Sequence, residues 1–151
     1  GGGGAVFGAD DARILTWGWD NTARVGDSAT GEPLPPPLTH QEEVNGAVFS
    51  ADDTRILTWS EDGTARVWDS ATGDPLTPPL THQAPVDGAV FSADDTRILT
   101  WSKDGTARVW DSATGQALTP PLTPQEGGRE ALRGVAKLHF KTTTRISEEL
   151  F

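Results

Sequence analysis

The chain has 151 residues, enough for one domain with a real core, and a formal net charge of −10. Cysteine, methionine and tyrosine are absent, which excludes a disulfide scaffold and any thiolate metal site. The acidic balance opposes polyanions, so neither nucleic acid nor an anionic membrane surface is an expected partner. No apolar run approaches the roughly 20 residues that span a bilayer. The lack of cysteine fits a reducing compartment, and a cytoplasmic location is the expectation. The first residue is Gly rather than Met, which points to a missing N-terminus.

In chain order, Gly1 to Gly4 reads as linker. The segment from Gly4 to Trp17 recurs, nearly unchanged, from Gly46 to Trp59 and from Gly88 to Trp101, a period of 42 residues. Residues 46–81 and 88–123 agree at 33 of 36 positions, so the repeat is the organising feature of the chain. Three units are expected, at about 4–45, 46–87 and 88–124, followed by a tail of different composition at 125–151.

Within the second unit, Val44 to Ser50 is a predicted strand, and Ala51-Asp52-Asp53-Thr54 is a turn held by Asp side chains. Arg55 to Ser60 is the second strand. Glu61-Asp62-Gly63 is a tight hairpin. Thr64 to Asp69 is the third strand, and Ser70 to Gly73 turns the chain again. Pro75 to Thr81 is the fourth strand; its prolines cannot donate to a ladder, so it belongs at an edge. In the tail, Arg129 to Phe140 reads either as a helix, with Leu132, Val135, Ala136 and Phe140 near one face, or as a frayed terminus.

The second and third strands of each unit are apolar on both faces, whereas a sheet with one wet face alternates more cleanly. Four-stranded sheets covered on both sides are expected to stack on one another. The fold class expected is therefore all-β.

Val67-Trp68-Asp69 and Val109-Trp110-Asp111, together with the period, resemble the signature of the WD-repeat β-propeller family, most closely the bacterial arrays of near-identical repeats. The resemblance covers residues 4 to about 124. It implies a partial propeller of three four-stranded antiparallel blades. It further implies a hydrogen-bonded tetrad in each blade, mapped here to His40, Ser60, Asp62 and Trp68, and to His82, Ser102, Asp104 and Trp110. The first blade departs from the pattern, with Gly26 at the Trp position, Gly18 at the Ser position and no preceding His.

Nothing in the sequence converges into a catalytic constellation, since His40 and His82 repeat with the blades. No enzyme activity, cofactor or metal site is expected. The paired Asp residues lack the ligand spacing of a calcium loop and read as turn residues. Differences between near-identical blades are more telling: Trp19, Glu61 and Lys103 share one hairpin position, and Glu42-Glu43 stand against Ala84-Pro85. The resemblance puts these positions on one face of a propeller, the usual partner-binding face. Two readings stand: a recognition surface formed by Trp19, Glu42, Glu43, Glu61, Ala84, Pro85 and Lys103, or neutral variation at exposed turns.

The expected function is a protein–protein interaction scaffold with a protein or peptide partner. The alternative is a regulatory or sensor module of a larger bacterial signalling protein whose catalytic domain lies elsewhere. Three blades cannot close a ring. The expectation is therefore a fragment of a longer propeller, an association of copies, or an arc capped by its own tail, with further blades coming from the parent chain or a second copy.

Overall fold

A computed structural model describes residues 2–123 of the protein. Among the described residues there are strands and turns but no helix. The first sheet contains β1 (Gly4–Phe7), β2 (Arg13–Trp17), β3 (Thr22–Asp27) and β4 (Leu38–Thr39). The second contains β5 (Val44–Phe49), β6 (Arg55–Ser60), β7 (Thr64–Asp69) and β8 (Leu80–Thr81). The third contains β9 (Val86–Phe91), β10 (Arg97–Ser102) and β11 (Ala107–Asp111). Each sheet is a simple antiparallel meander in which sequence neighbours pair, the arrangement that tight turns between short strands favour.

The fourth strand of each unit is shorter than the sequence suggests. In the second unit it touches β7 only through an isolated bridge between Trp68 and Pro75 and through the two residues of β8. Pro75, Pro78 and Pro79 lack the N–H that a continuous ladder needs. In the third unit two bridges, Trp110 to Ala117 and Ala107 to Leu122, stand in for the strand. The third blade is therefore three strands plus two bridges rather than four full strands. The possible helix at 129–140, and the 125–151 tail as a whole, lie outside the described residues.

The core lies between sheets rather than within one. Leu15, Ala23, Val25 and Leu38 of the first sheet pack against Val44, Ala47, Ile56 and Trp68 of the second. Leu57, Ala65, Val67 and Leu80 of the second sheet meet Ala89, Phe91, Ile98 and Trp110 of the third. Neighbouring residues of β6, Ile56 and Leu57, therefore point into two different junctions. This accounts for the lack of polar alternation along the strand.

One close approach fixes a residue type on the first strand of each unit. Gly46 pairs with Trp59, and Gly88 with Trp101, and the indole lies directly over the glycine. A methyl group there would overlap the ring. We expect Gly88→Ala to destabilise the chain by about 1–3 kcal/mol in urea unfolding, the usual cost of overpacking. Gly2→Ala, with no atom near the added carbon, should leave the transition unchanged.

Candidate functional site

At one rim of each junction a buried polar chain ties two sheets together. His40 follows β4, and its amide donates to the Asn21 carbonyl of the first sheet at 2.8 Å. Its imidazole enters the second sheet, where Nδ1 lies 2.9 Å from Asp62 Oδ2 and Nε2 lies 2.6 Å from Thr58 Oγ1. The Trp68 indole donates to the same hydroxyl oxygen at 2.9 Å. Ionised Asp62 can only accept, which places the proton on His40 Nδ1. Nε2 then accepts from Thr58, whose oxygen accepts from Trp68, so each polar atom of this chain has a partner of the right kind. His82, Thr100, Asp104 and Trp110 repeat the arrangement in the third sheet, with distances of 3.0, 2.7 and 2.9 Å.

The charge state follows from these bonds. Burial works against ionised Asp62, but hydrogen bonds from His40, Thr64 and the Gln41 amide outweigh it and hold the carboxyl well below its ordinary value. Asp104 is lowered in the same way: burial is again opposed, here by Thr106, the Gln83 amide and His82. Burial pushes the His82 imidazole below 6.5, against the pull of Asp104.

The residues singled out as a recognition surface lie along this same rim. Asn21 reaches the Gln41 carbonyl, the Val44 amide reaches the Gly18 carbonyl, and Asn45 reaches the Val86 carbonyl. These contacts join the hairpins and inter-sheet loops of three successive sheets into one edge. Trp19 projects from it with 75% of its surface exposed and borders a cleft of about 240 Å³ with Trp17, Asp20 and Arg24. Glu61, Ala84 and Pro85 border another of about 250 Å³ between the second and third sheets. Glu42 is exposed and Glu43 is half-buried beside it. Lys103 lies 3.8 Å from Asp87, and Glu61 accepts a 2.7 Å bond from Asn45. The blade-to-blade differences at 45 and 61, and at 87 and 103, are thus matched pairs: amide with carboxylate in one blade, carboxylate with ammonium in the next.

The WD domain, G-beta repeat family matches residues 34–69 and 74–111. The computationally designed Ika8 protein, known from a crystal structure, superposes with a TM-score of 0.65 at 32% identity, over 72% of this chain and 33% of that one. The chain belongs to the WD-repeat family. It spans about a third of the length of the designed structure it matches. No curated protein matches it.

One member of the WD-repeat tetrad differs from the sequence-based assignment. The hydroxyl between His and Trp is Thr58, and Thr100 in the next blade, rather than Ser60 and Ser102. Thr58 and Ser60 point to the same side of β6, since they are two residues apart. Trp68 is registered opposite Ile56, so Ser60 lies about 7 Å farther along the strand than Thr58. Ser60 instead donates to the Glu42 and Glu43 carbonyls at 3.2 and 2.8 Å and accepts from the Asp62 amide. It pins the inter-blade loop to the hairpin, as Ser102 does with Ala84 and Pro85.

A second tie, at the opposite rim, escaped the sequence reading. Arg13 of the first blade donates to the Ser70 carbonyl and hydroxyl and to the Asp53 carbonyl of the second, at 3.2, 3.1 and 2.6 Å. Its guanidinium sits 5.0 Å from the centroid of the Phe49 ring. Asp53 returns a bond by accepting from the Ala9 amide. Arg55 makes the same set of contacts with Ser112, Asp95 and Phe91. The paired Asp residues thus divide their work. Asp52 closes its own turn, and bonds from the Thr54 hydroxyl and amide and from Ser50 lower its pKa to about 2. Asp53, at φ 60°, faces the neighbouring blade. The signal that could have exposed this tie is the recurrence of Phe, Asp, Arg and Ser at the same four places in every repeat.

Two predictions follow from the tetrad. Thr58→Val should destabilise the chain by about 2 kcal/mol, because the indole N–H and imidazole lose their shared partner inside the core. Thr58→Ser, which keeps the hydroxyl, should cost less than half of that in the same denaturant titration. The second concerns pH. The lowered groups bind fewer protons folded than unfolded, so stability falls as pH falls. The thermal midpoint should be flat above neutrality and begin to drop below pH 6.5 as unfolded chains capture a proton at His82. It should drop more steeply below 3.8, where unfolded chains also protonate Asp62 and Asp104 while the folded carboxylates stay ionised. A midpoint that rises between pH 6.5 and 5 would contradict this account.

Proposed function

We propose that this WD-repeat chain is a protein-binding scaffold whose partner sits on the rim formed by Trp19, Glu42, Glu43, Glu61, Ala84, Pro85 and Lys103. WD repeats generally mediate protein–protein interaction, and four of the six positions at which residues 40–81 differ from residues 82–123 lie on this rim (42, 43, 45 and 61), the other two being Asp74-Pro75 against Gln116-Ala117. The observation that carries the reading is Trp19. A large aromatic, 75% exposed, stands at a hairpin tip where the other two blades place Glu61 and Lys103. Exposed aromatic anchors dominate binding energy at interfaces.

The three hairpins present different chemistry in sequence: an indole beside Asp20 and Arg24, a carboxylate group around Glu42 and Glu61, and an ammonium beside an apolar Ala84-Pro85 step. Such a rim suits a protein or peptide that offers an apolar side chain to the first blade and opposite charges to the next two. The net charge of −10 argues against a phosphate backbone in that role.

Photo-cross-linking residues at position 19 or 103 should capture the same partner from the native source, while one at Thr72, which is exposed and outside this rim, should not. Against that purified partner, Trp19→Ala should weaken binding at least tenfold and Lys103→Glu severalfold, without change in thermal midpoint. Unchanged affinity for both variants would remove the rim from the interface.

A further inference from the structure

The tetrad rim carries a cleft whose two walls differ in chemistry, and together they select one kind of side chain. We propose that the cleft between the second and third sheets is a receptor for a lysine side chain of the partner. The inference rests on the reading of this rim as the partner's seat and specifies what the partner brings to it.

The cleft encloses about 250 Å³, the space of about eight waters at roughly 30 Å³ each, so it admits one long side chain. One wall is Glu61 at the hairpin of the second sheet, with Asp62 beside it; the other is Ala84 and Pro85, in the loop before β9. Both walls are fixed before anything binds. The Glu61 amide donates to the Glu43 carbonyl at 2.9 Å, and the His82 amide to the Gly63 carbonyl at 2.8 Å. The Lys103 amide donates to the Pro85 carbonyl at 3.0 Å. A ligand meets a preformed site and has little of it to order.

Charge selects the sign of the ligand. Asn45 holds Glu61 Oε2 at 2.7 Å through a neutral amide, which orients the carboxylate without neutralising it. None of the ion pairs among the described residues includes Glu61. Asp62 stays ionised, because its hydrogen bonds hold the carboxyl well below the ordinary value. Burial lowers the pKa of His82, which is therefore neutral at neutral pH. The Lys103 ammonium turns to Asp87, at 3.8 Å, and does not line the cleft.

Shape selects the kind of cation. The Ala84-Pro85 wall offers apolar surface to a methylene stem while the charged head reaches Glu61. A guanidinium gains most from a carboxylate with both oxygens open, through two parallel N–H bonds. Asn45 already occupies Oε2, so Oε1 is left for a single compact charge, which an ammonium supplies. At the first junction the same positions hold Trp19 and Glu42-Glu43, so this pairing of walls belongs to the second.

The test uses the whole chain and a blocked Ala-Lys-Ala tripeptide, followed through amide chemical shifts at millimolar peptide and low salt. Saturable shifts should centre on Glu61, Gly63 and Ala84. Acetylation of the lysine Nε should abolish them, and Arg in place of Lys should bind severalfold more weakly. Glu61→Gln, which keeps an acceptor for Asn45, should weaken binding about fivefold, the worth of a half-exposed ion pair. Glu32→Gln, the same charge change at an exposed turn outside the rim, should leave it unaltered. The absence of saturable shifts, equal binding of the acetylated peptide, or equal losses in the two Gln variants overturns the proposal. None of these outcomes needs the natural partner. Full partner affinity in Trp19→Ala and Lys103→Glu removes the rim reading, whereas failure of the peptide alone removes only the lysine assignment.

Discussion

A sheet of this sequence carries apolar side chains on both faces, and covering the second face is the constraint from which the remaining architecture follows. Ile56 and Leu57 are adjacent on β6 and fully buried, one in each junction. Neither junction can be given up without exposing one of them to water, so a single repeat has no stable fold of its own. The tight fit of glycine beneath the indole on the first strand, the tetrad at one rim and the arginine latch at the other all keep two such sheets in contact at a fixed distance.

The two rims do this with different chemistry. At the tetrad rim, charge is buried and fully bonded, so its contribution depends on pH and on every member being present. At the latch rim, the guanidinium is half-buried and donates mainly to carbonyls, a contact that needs no titrating partner. The first blade has Gly26 where the next two have Trp68 and Trp110. Its Asp20 bonds to Thr22, as Asp62 does to Thr64, and also lies 3.5 Å from Arg24. It keeps Phe7, Asp11 and Ser28 nonetheless. The outer flank of this blade therefore keeps all three receiving residues of the latch, but of the tetrad it keeps Thr16 and Asp20 without the indole.

The division between constant and variable residues has the same origin. The residues of the tetrad and of the arginine latch that reach across the two junctions are repeated, because both junctions have the same geometry. Residues along the tetrad rim vary in compensated pairs within a blade, Asn45 with Glu61 and Asp87 with Lys103, although Asn45 also reaches the Val86 carbonyl of the next sheet. The pairing lets the charge pattern along this rim differ between blades whose junction residues are the same.

The 42-residue period, the Asp turns, the Asp-Gly hairpins and the two-faced strands are local or near-local features, and they made the strands, the blades and the family legible in the sequence alone. The tetrad was legible as far as His40, Asp62 and Trp68. Choosing Thr58 over Ser60 needed the register of β6 against β7, because both hydroxyls share a face and only their distance from Trp68 separates them. The proline-rich strand was read as an edge but not as two separated contacts, since which carbonyls find a donor depends on the neighbouring strand. The roles of Arg13, Asp53 and Ser70 were decided by tertiary structure, for they lie 40 and 57 residues apart in the chain and meet only when one blade lies against the next.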